Sequence, residues 1–496
     1  TGLHIDEENF IMENQYYKVV FNPETGNITN IYNKKDNNRD VLNSKNGEGN
    51  ELQIFTDTGG SSWPAWDVIR SELSPVGGDP YDPTYRLGAD SLKSIKVIEN
   101  SAVKAVIRVT REWSKSTFIQ DIIMYPDVER IDVKTYVDWR ESNRMLKVSF
   151  PLSAVSNTAT YEIAYGALQR STNRDTSFDG ARFEQSGQKW ADITNESDNA
   201  FGVSILNDSK YGWDVYRYKD NSGTRIRLSL LRSARTASSA GYGYNNPPSY
   251  PAMDQGPQYF TYSIYPHKGD WTDAQSVQRA YELNYPVNAF QVEPHKGVLG
   301  KEFSFIDVDK PNIIASVVKT PYDGGTDELV IRLYESQGKD STDAQITFPT
   351  DIKSAKEVNI LEEEYEDAKP VSISGNTLTT NFGKYEIKTL RVNLGESKYE
   401  KVAQKTASVD LYTHYNLDGV SSDNKRSDGD VDGSGNTYAA ELWPEQITFQ
   451  GVPFKLGPAA DGYRNLVQAE GQTIKLPAGN YKYVYILGAA SGTEKD

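Results

Sequence analysis

The sequence predicts an all-β protein: a large jelly-roll or super-sandwich domain, then smaller β-sandwich domains. Three observations carry that expectation. Apolar and polar residues alternate with a period of two through most of the chain, Pro/Gly/Asn turn signals separate the alternating runs, and helical periodicity is nearly absent. The first pair of runs shows the pattern. Tyr17-Lys18-Val19-Val20-Phe21 leads through Asn22-Pro23-Glu24-Thr25-Gly26-Asn27 into Ile28-Thr29-Asn30-Ile31-Tyr32, a strand, a turn and a strand. Val103 to Val109, Phe118 to Met124 and Ile131 to Trp139 read as successive strands, and Leu329 to Tyr334 and Ile387 to Val392 as later ones. Tyr481 to Leu487 reads as a strong strand close to the last residue. One segment, Trp271 to Leu283, reads as a helix: Val277, Ala280 and Tyr281 share a face, with Asp270 or Thr272 as cap.

Four segments follow from these runs. Residues 1–293 form the large β-sandwich domain, bounded by Pro294-His295-Lys296-Gly297, and residues 294–398 form a second, small β-sandwich domain. The charged, apolar-poor stretch 399–406 is a linker. Residues 407–496 form a further β-sandwich module, expected to be truncated because its last strong strand lies so near the end.

Composition removes several function classes. Lys plus Arg number 53 and Asp plus Glu 69, a net charge of −16 that repels phosphate backbones and argues against nucleic acid. No cysteine is present, so disulfides and thiolate metal sites are excluded. No apolar run approaches the ~18 residues of a membrane-spanning helix. Thr1 to Asn14 is polar, so an export signal would have to lie upstream. Abundant Asn, Ser, Thr and Tyr without Cys suit a secreted or cell-surface protein of a Gram-positive bacterium.

Chemistry-bearing motifs are sparse. No G-x-S-x-G elbow, P-loop or dinucleotide fingerprint occurs. The four histidines, His4, His267, His295 and His414, are dispersed; His4-Ile5-Asp6 forms an H-x-D triplet near a chain end, where side chains are usually mobile. In Asp428-Gly429-Asp430-Val431-Asp432-Gly433, oxygens at alternate positions suit Ca²⁺, with Asp428, Asp430 and Asp432 as ligands and Asp423 or Glu441 as supplements. A solvated acidic turn is the competing reading, and the twelfth loop position, Ala439, rules against an EF-hand. Trp63-Pro64-Ala65-Trp66-Asp67 places two rings and a carboxylate within five residues, a combination that stacks on and hydrogen-bonds a sugar, or else packs a core.

Longer phrases then accumulate in a specific order. They include Asn50 to Phe55, Trp66-Asp67, Ala159 to Ile163, Ala181 to Glu184, Lys189 to Asp192, Gly202 to Gly212, Leu228 to Ser233, Asp254 to Gly256 and Phe260 to His267. Over about residues 10–395 the chain resembles the C-terminal region of family 38 glycoside hydrolases, the α-mannosidases of the bacterial and cytosolic type. Residues 416–423, 428–433, 451–454 and 487–490 resemble a β-sandwich module appended to secreted bacterial glycosidases.

The resemblance implies a galactose-mutarotase-like super-sandwich and a parent enzyme that removes terminal α-mannosides with retention. It places zinc, nucleophile and general acid in an N-terminal barrel followed by a helical bundle, so no catalytic residue and no zinc ligand is expected in this chain, which alone should be inactive. By the same resemblance Arg232 approaches the active site from the β region, and Trp63, Trp66 and Asp67 lie near the barrel mouth. α-Mannoside glycans and the N-terminal barrel and helical domain are then the expected partners, and self-association is compatible with the sequence. The alternative is a surface-located structural or carbohydrate-binding protein without enzymatic activity.

Overall fold

A computed structural model describes all residues except 1, 58–64, 66–67, 69–81, 199, 235–254, 295–296, 325–327, 397–405, 450 and 491–496. The chain divides into two compact units, Thr1–Glu396 and Ser397–Asp496.

Two antiparallel sheets dominate the first unit. Among the described residues the larger has nine strands, in the order Gly166–Ser171, Thr158–Ile163, Trp190–Thr194, Phe201–Asn207, Gly256–Lys268, Ile131–Trp139, Ser116–Met124, Ala105–Trp113 and Leu92–Asn100. The second has six, in the order Gln185–Ser186, Gly212–Arg217, Thr224–Arg232, Arg144–Leu152, Glu51–Thr56 and Tyr85–Leu87. Period-2 alternation turns one apolar row of each sheet inward. Ile107, Phe118, Val133, Val203 and Ile264 of the larger sheet share a buried core with Leu52, Ile54, Val148, Ile226 and Leu228 of the smaller. Edge-on ring pairs join the two layers: Phe150 with Tyr262 at 6.3 Å and Tyr161 with Trp213 at 6.4 Å. This is the large β-sandwich expected from the strand pattern and the super-sandwich implied by the resemblance.

The N-terminal residues add a five-stranded sheet containing Tyr17–Phe21 and Ile28–Asn33. Their connecting turn needs glycine at Gly26, whose φ is +70° and where a Cβ would stand 2.6 Å from Val109 Cγ1. Buried Arg111 pins that turn to the large sheet by donating to Thr25 O at 2.7 Å and Asn27 Oδ1 at 2.6 Å.

Residues beyond 306 build a small sandwich of two four-stranded sheets with its own core, including Ile331, Leu333, Ile346, Leu378 and Leu390. The strands anticipated at Leu329–Tyr334 and Ile387–Val392 are Glu328–Glu335 and Ile387–Leu394.

Three local expectations change. The helix read over Trp271 to Leu283 is α2, Ser276–Asn284. Asp270 Oδ1 caps a separate turn by accepting from Thr272 N and Asp273 N, and Gln275, at φ +53°, breaks the path between turn and helix. A short helix that the periodicity missed, α1, spans Ser177–Ala181 and is nucleated by a capping box between Thr176 and Asp179. In the second unit, which carries short ladders such as Gln446–Phe449 with Val452–Lys455, Tyr481 to Leu487 forms no strand. High β propensity needs a neighbouring strand to accept the backbone hydrogen bonds, and this segment pairs with none among the described residues.

Candidate functional site

The outer face of the six-stranded sheet is polar where its inner face is apolar. Along Thr224–Arg232 the alternation is strict at first: Ile226 and Leu228 enter the core while Arg225, Arg227 and Ser229 point the other way. Then the ladder slips. Met145 pairs Arg232 and Leu146 pairs Leu231, but Lys147 pairs Ser229, leaving Leu230 as an extra residue. A one-residue bulge reverses which side chains face outward. Without it Arg232 would enter the core; with it Arg232 joins Met145 and Phe55 on the outer face.

Arg232 stands where three strands end. Its Nε donates to Asp57 Oδ2 at 2.7 Å and its Nη1 to Ala65 O at 3.3 Å. Asp57 is buried, whereas the Arg232 side chain keeps 18% of its surface exposed. The carboxylate thus fixes the orientation of a guanidinium at the sheet margin. Phe55, Met145 and Phe183, with Val68 against them, form a small apolar cluster beside it.

Next to this margin lies a buried ionic cluster that the sequence reading did not identify. Lys147, fully buried, reaches Glu184 and lies 3.4 Å from Asp214. Asp214 also receives Arg227 Nη1 at 2.9 Å and is paired with Arg174. Ser229 donates to Glu184. Rings of Phe55, Phe183 and Tyr216 flank the cations, the Arg174 guanidinium carbon standing 4.0 Å from the Tyr216 centroid. Burial alone would raise the Asp214 carboxyl, but Arg174, Lys147 and Arg227 outweigh it and hold that group well below the usual carboxylate range. At Glu184 burial prevails over Lys147 and raises the carboxyl. Gly212 makes room for the cluster, because a Cβ there would meet Ser229 Cβ at 2.8 Å and Glu184 Oε1 at 2.9 Å. The signal was present in the Arg225, Arg227, Ser229 alternation, yet Asp214, Glu184 and Arg174 come from separate segments.

The remaining candidates are dispersed. Trp63, Trp66 and Asp67 lie outside the described residues. His4 and Asp6 belong to an edge strand, and Asp6 accepts from Glu8 N and Asn9 N of its own turn. His267 is a buried core histidine, its Nε2 2.8 Å from Asp192 Oδ2. In the loop of the calcium expectation each carboxylate is engaged by local donors. Asp428 binds Lys425 and the Gly462 amide, and Asp430 accepts from Gly433 N at 2.7 Å. Asp432 accepts from Ser434 N at 2.9 Å and Asn436 Nδ2 at 2.6 Å. Each carboxylate serves backbone or side-chain donors instead of a common centre. Asp423 pairs with Arg426 and its amide donates to Glu441. Among the described residues no group of three or more His, Cys, Asp or Glu side chains could hold a metal ion, so the implied zinc does not fit this chain's described residues.

Comparison with known proteins agrees with this architecture. Residues 12–238 match the family 38 glycosyl hydrolase C-terminal domain, and residues 312–390 match the C-terminal β-sandwich domain of the same family. Residues 404–496 match the AziU2-like β-sandwich domain. α-Mannosidase G of Dictyostelium discoideum is 32% identical over 398 residues, 77% of this chain and 32% of that protein. Human α-mannosidase 2C1 is 29% identical over 384 residues, 76% of this chain and 33% of that protein. The chain therefore spans about a third of these relatives' length. The crystal structure of an α-mannosidase from Enterococcus faecalis V583 shares the fold at a TM-score of 0.61 and 19% identity, covering 79% of this chain and 43% of that one. This chain belongs to the C-terminal region of glycosyl hydrolase family 38, followed by an AziU2-like β-sandwich domain.

Proposed function

We propose that these residues are the non-catalytic β portion of a retaining exo-α-mannosidase that hydrolyses terminal α-mannosides. The zinc, nucleophile and general acid of that enzyme are supplied by an N-terminal barrel outside the chain, and the β region scaffolds the barrel and completes one wall of its active site. The observation that carries this reading is the Arg232–Asp57 pair, a guanidinium locked in orientation at a sheet margin by a buried carboxylate. Such a group holds a substrate hydroxyl or orients a carboxylate of the barrel. The polypeptide is placed outside the cell or on its surface.

The test is hydrolysis of 4-nitrophenyl α-mannoside by the purified 496-residue chain, with and without added Zn²⁺. No turnover above buffer is expected. Turnover would mean that the chain carries its own catalytic centre and would sink the proposal. Intact mass of the native polypeptide gives an independent check: a barrel plus a helical bundle brings it above about 100 kDa.

A further inference from the structure

The outer face of the nine-stranded sheet is divided. Over Trp190–Thr194, Phe201–Asn207 and Gly256–Lys268, outward-facing Trp190, Leu206 and Tyr265 are buried beneath Trp271 and the Val277 and Ala280 face of α2. Over Ile131–Trp139, Ser116–Met124 and Ala105–Trp113 the side chains of the same face form rows, buried at one end, at Val106, Ile123 and Asp132, and partly exposed toward the other. Thr110, Ile119, Tyr136 and Tyr259 stand opposite one another across four adjacent strands. Directly opposed residues point to the same side of a sheet. The Tyr136 and Tyr259 ring centroids are 4.9 Å apart, and Tyr259 is 76% exposed.

Polar rows flank this stripe. On one side are Arg108, Asp121, Lys134 and Thr261; on the other, Glu112, Thr117 and Asp138. The acids already have cations: Arg108 grips Asp121 through two bonds of 2.7 and 2.8 Å, Arg140 binds Asp138, and Lys93 binds Glu112.

We propose that the partly exposed stripe of this face is a binding platform for a neutral oligosaccharide, with Tyr259 as its exposed stacking residue and Tyr136 beside it. The exposed Tyr259 ring, with the half-buried Tyr136 ring tilted 47° against it, suits the C–H face of a sugar ring. The flanking donors and acceptors suit hydroxyl groups, and the acids, already paired, make no demand for a cation. The stripe crosses three strand spacings, about 14 Å, which fits a short oligosaccharide better than a single sugar. Two rings and Ile119 are too little apolar surface for a stable protein interface of about 1,000 Å² or more. A net charge of −16 disfavours nucleic acid, whose bases also stack. This platform is independent of the Arg232 reading.

Native gel electrophoresis of the 496-residue chain in gels containing yeast mannan or laminarin tests it. At least one polysaccharide should retard the chain. Tyr259→Ala should weaken the effect about tenfold, Tyr136→Ala with Tyr259→Ala should abolish it, and Tyr259→Phe should preserve it. Because Tyr259 is exposed, its single substitutions should leave the circular dichroism spectrum unchanged. Absence of retardation by both polysaccharides, or retardation indifferent to Tyr259→Ala, would overturn the proposal. Retardation lost in Arg232→Ala but kept in the tyrosine variants would also overturn it, while supporting the site proposed above.

Discussion

Asp214 shows how much of the sandwich's outer face rests on single residues. One buried carboxylate serves Lys147, Arg174 and Arg227, and removing an anion from such a group leaves buried cations uncompensated, a loss of about 3–5 kcal/mol. Asp214→Asn should therefore unfold at markedly lower denaturant concentration at pH 7. The pH dependence has a defined sign. A carboxyl held below its unfolded value contributes stability that is present above the unfolded pKa of about 4 and is lost as pH falls toward the folded value. Wild-type stability should thus fall as pH drops below about 4, and the Asp214→Asn profile should be flatter there. Equal slopes in urea titrations at several pH values would show that Asp214 is not the linked group.

At the scale of elements, α2 stabilises the sandwich by covering one half of a sheet face. Trp271 and Trp190 have ring centroids 5.0 Å apart, and Val277 and Ala280 pack beside them. Trp271→Ala should cost about 3–5 kcal/mol, read as a shifted denaturation midpoint, and should raise hydrogen exchange in Ser276–Asn284. A shift under about 1 kcal/mol would mean that the helix is held by other contacts. Legibility followed from locality. Ile131–Trp139 was readable residue for residue because each side chain alternates against the same two neighbours. Val103 was misplaced in a strand, since it is an exposed turn residue before Ala105–Trp113, and propensity alone does not separate the two. The bulge at Leu230 was not legible, because it exists only relative to the partner strand. Arg232 was named as a candidate through a resemblance, whereas its partner Asp57 lies 175 residues away and only the fold brings them together.

On the scale of the whole molecule, the chain is a set of β domains spanning about a third of the α-mannosidases it resembles. A large sandwich, a small sandwich and an AziU2-like domain make up the chain, and the two proposed surfaces ask different things of a sugar. The half-face with Tyr136 and Tyr259 would hold a glycan by stacking, without reaction. The margin with Arg232 would act only within the complete enzyme, by orienting groups that react. The measurement that tests this most directly is kcat/KM for 4-nitrophenyl α-mannoside, made on the native polypeptide that carries these residues, with Arg232 intact and as Arg232→Ala. The account predicts a loss of about 10²-fold or more in protein that circular dichroism shows to be folded at the assay temperature, the melting temperature falling because buried Asp57 loses its cation. An unchanged kcat/KM would contradict it and would remove this β region from the active site.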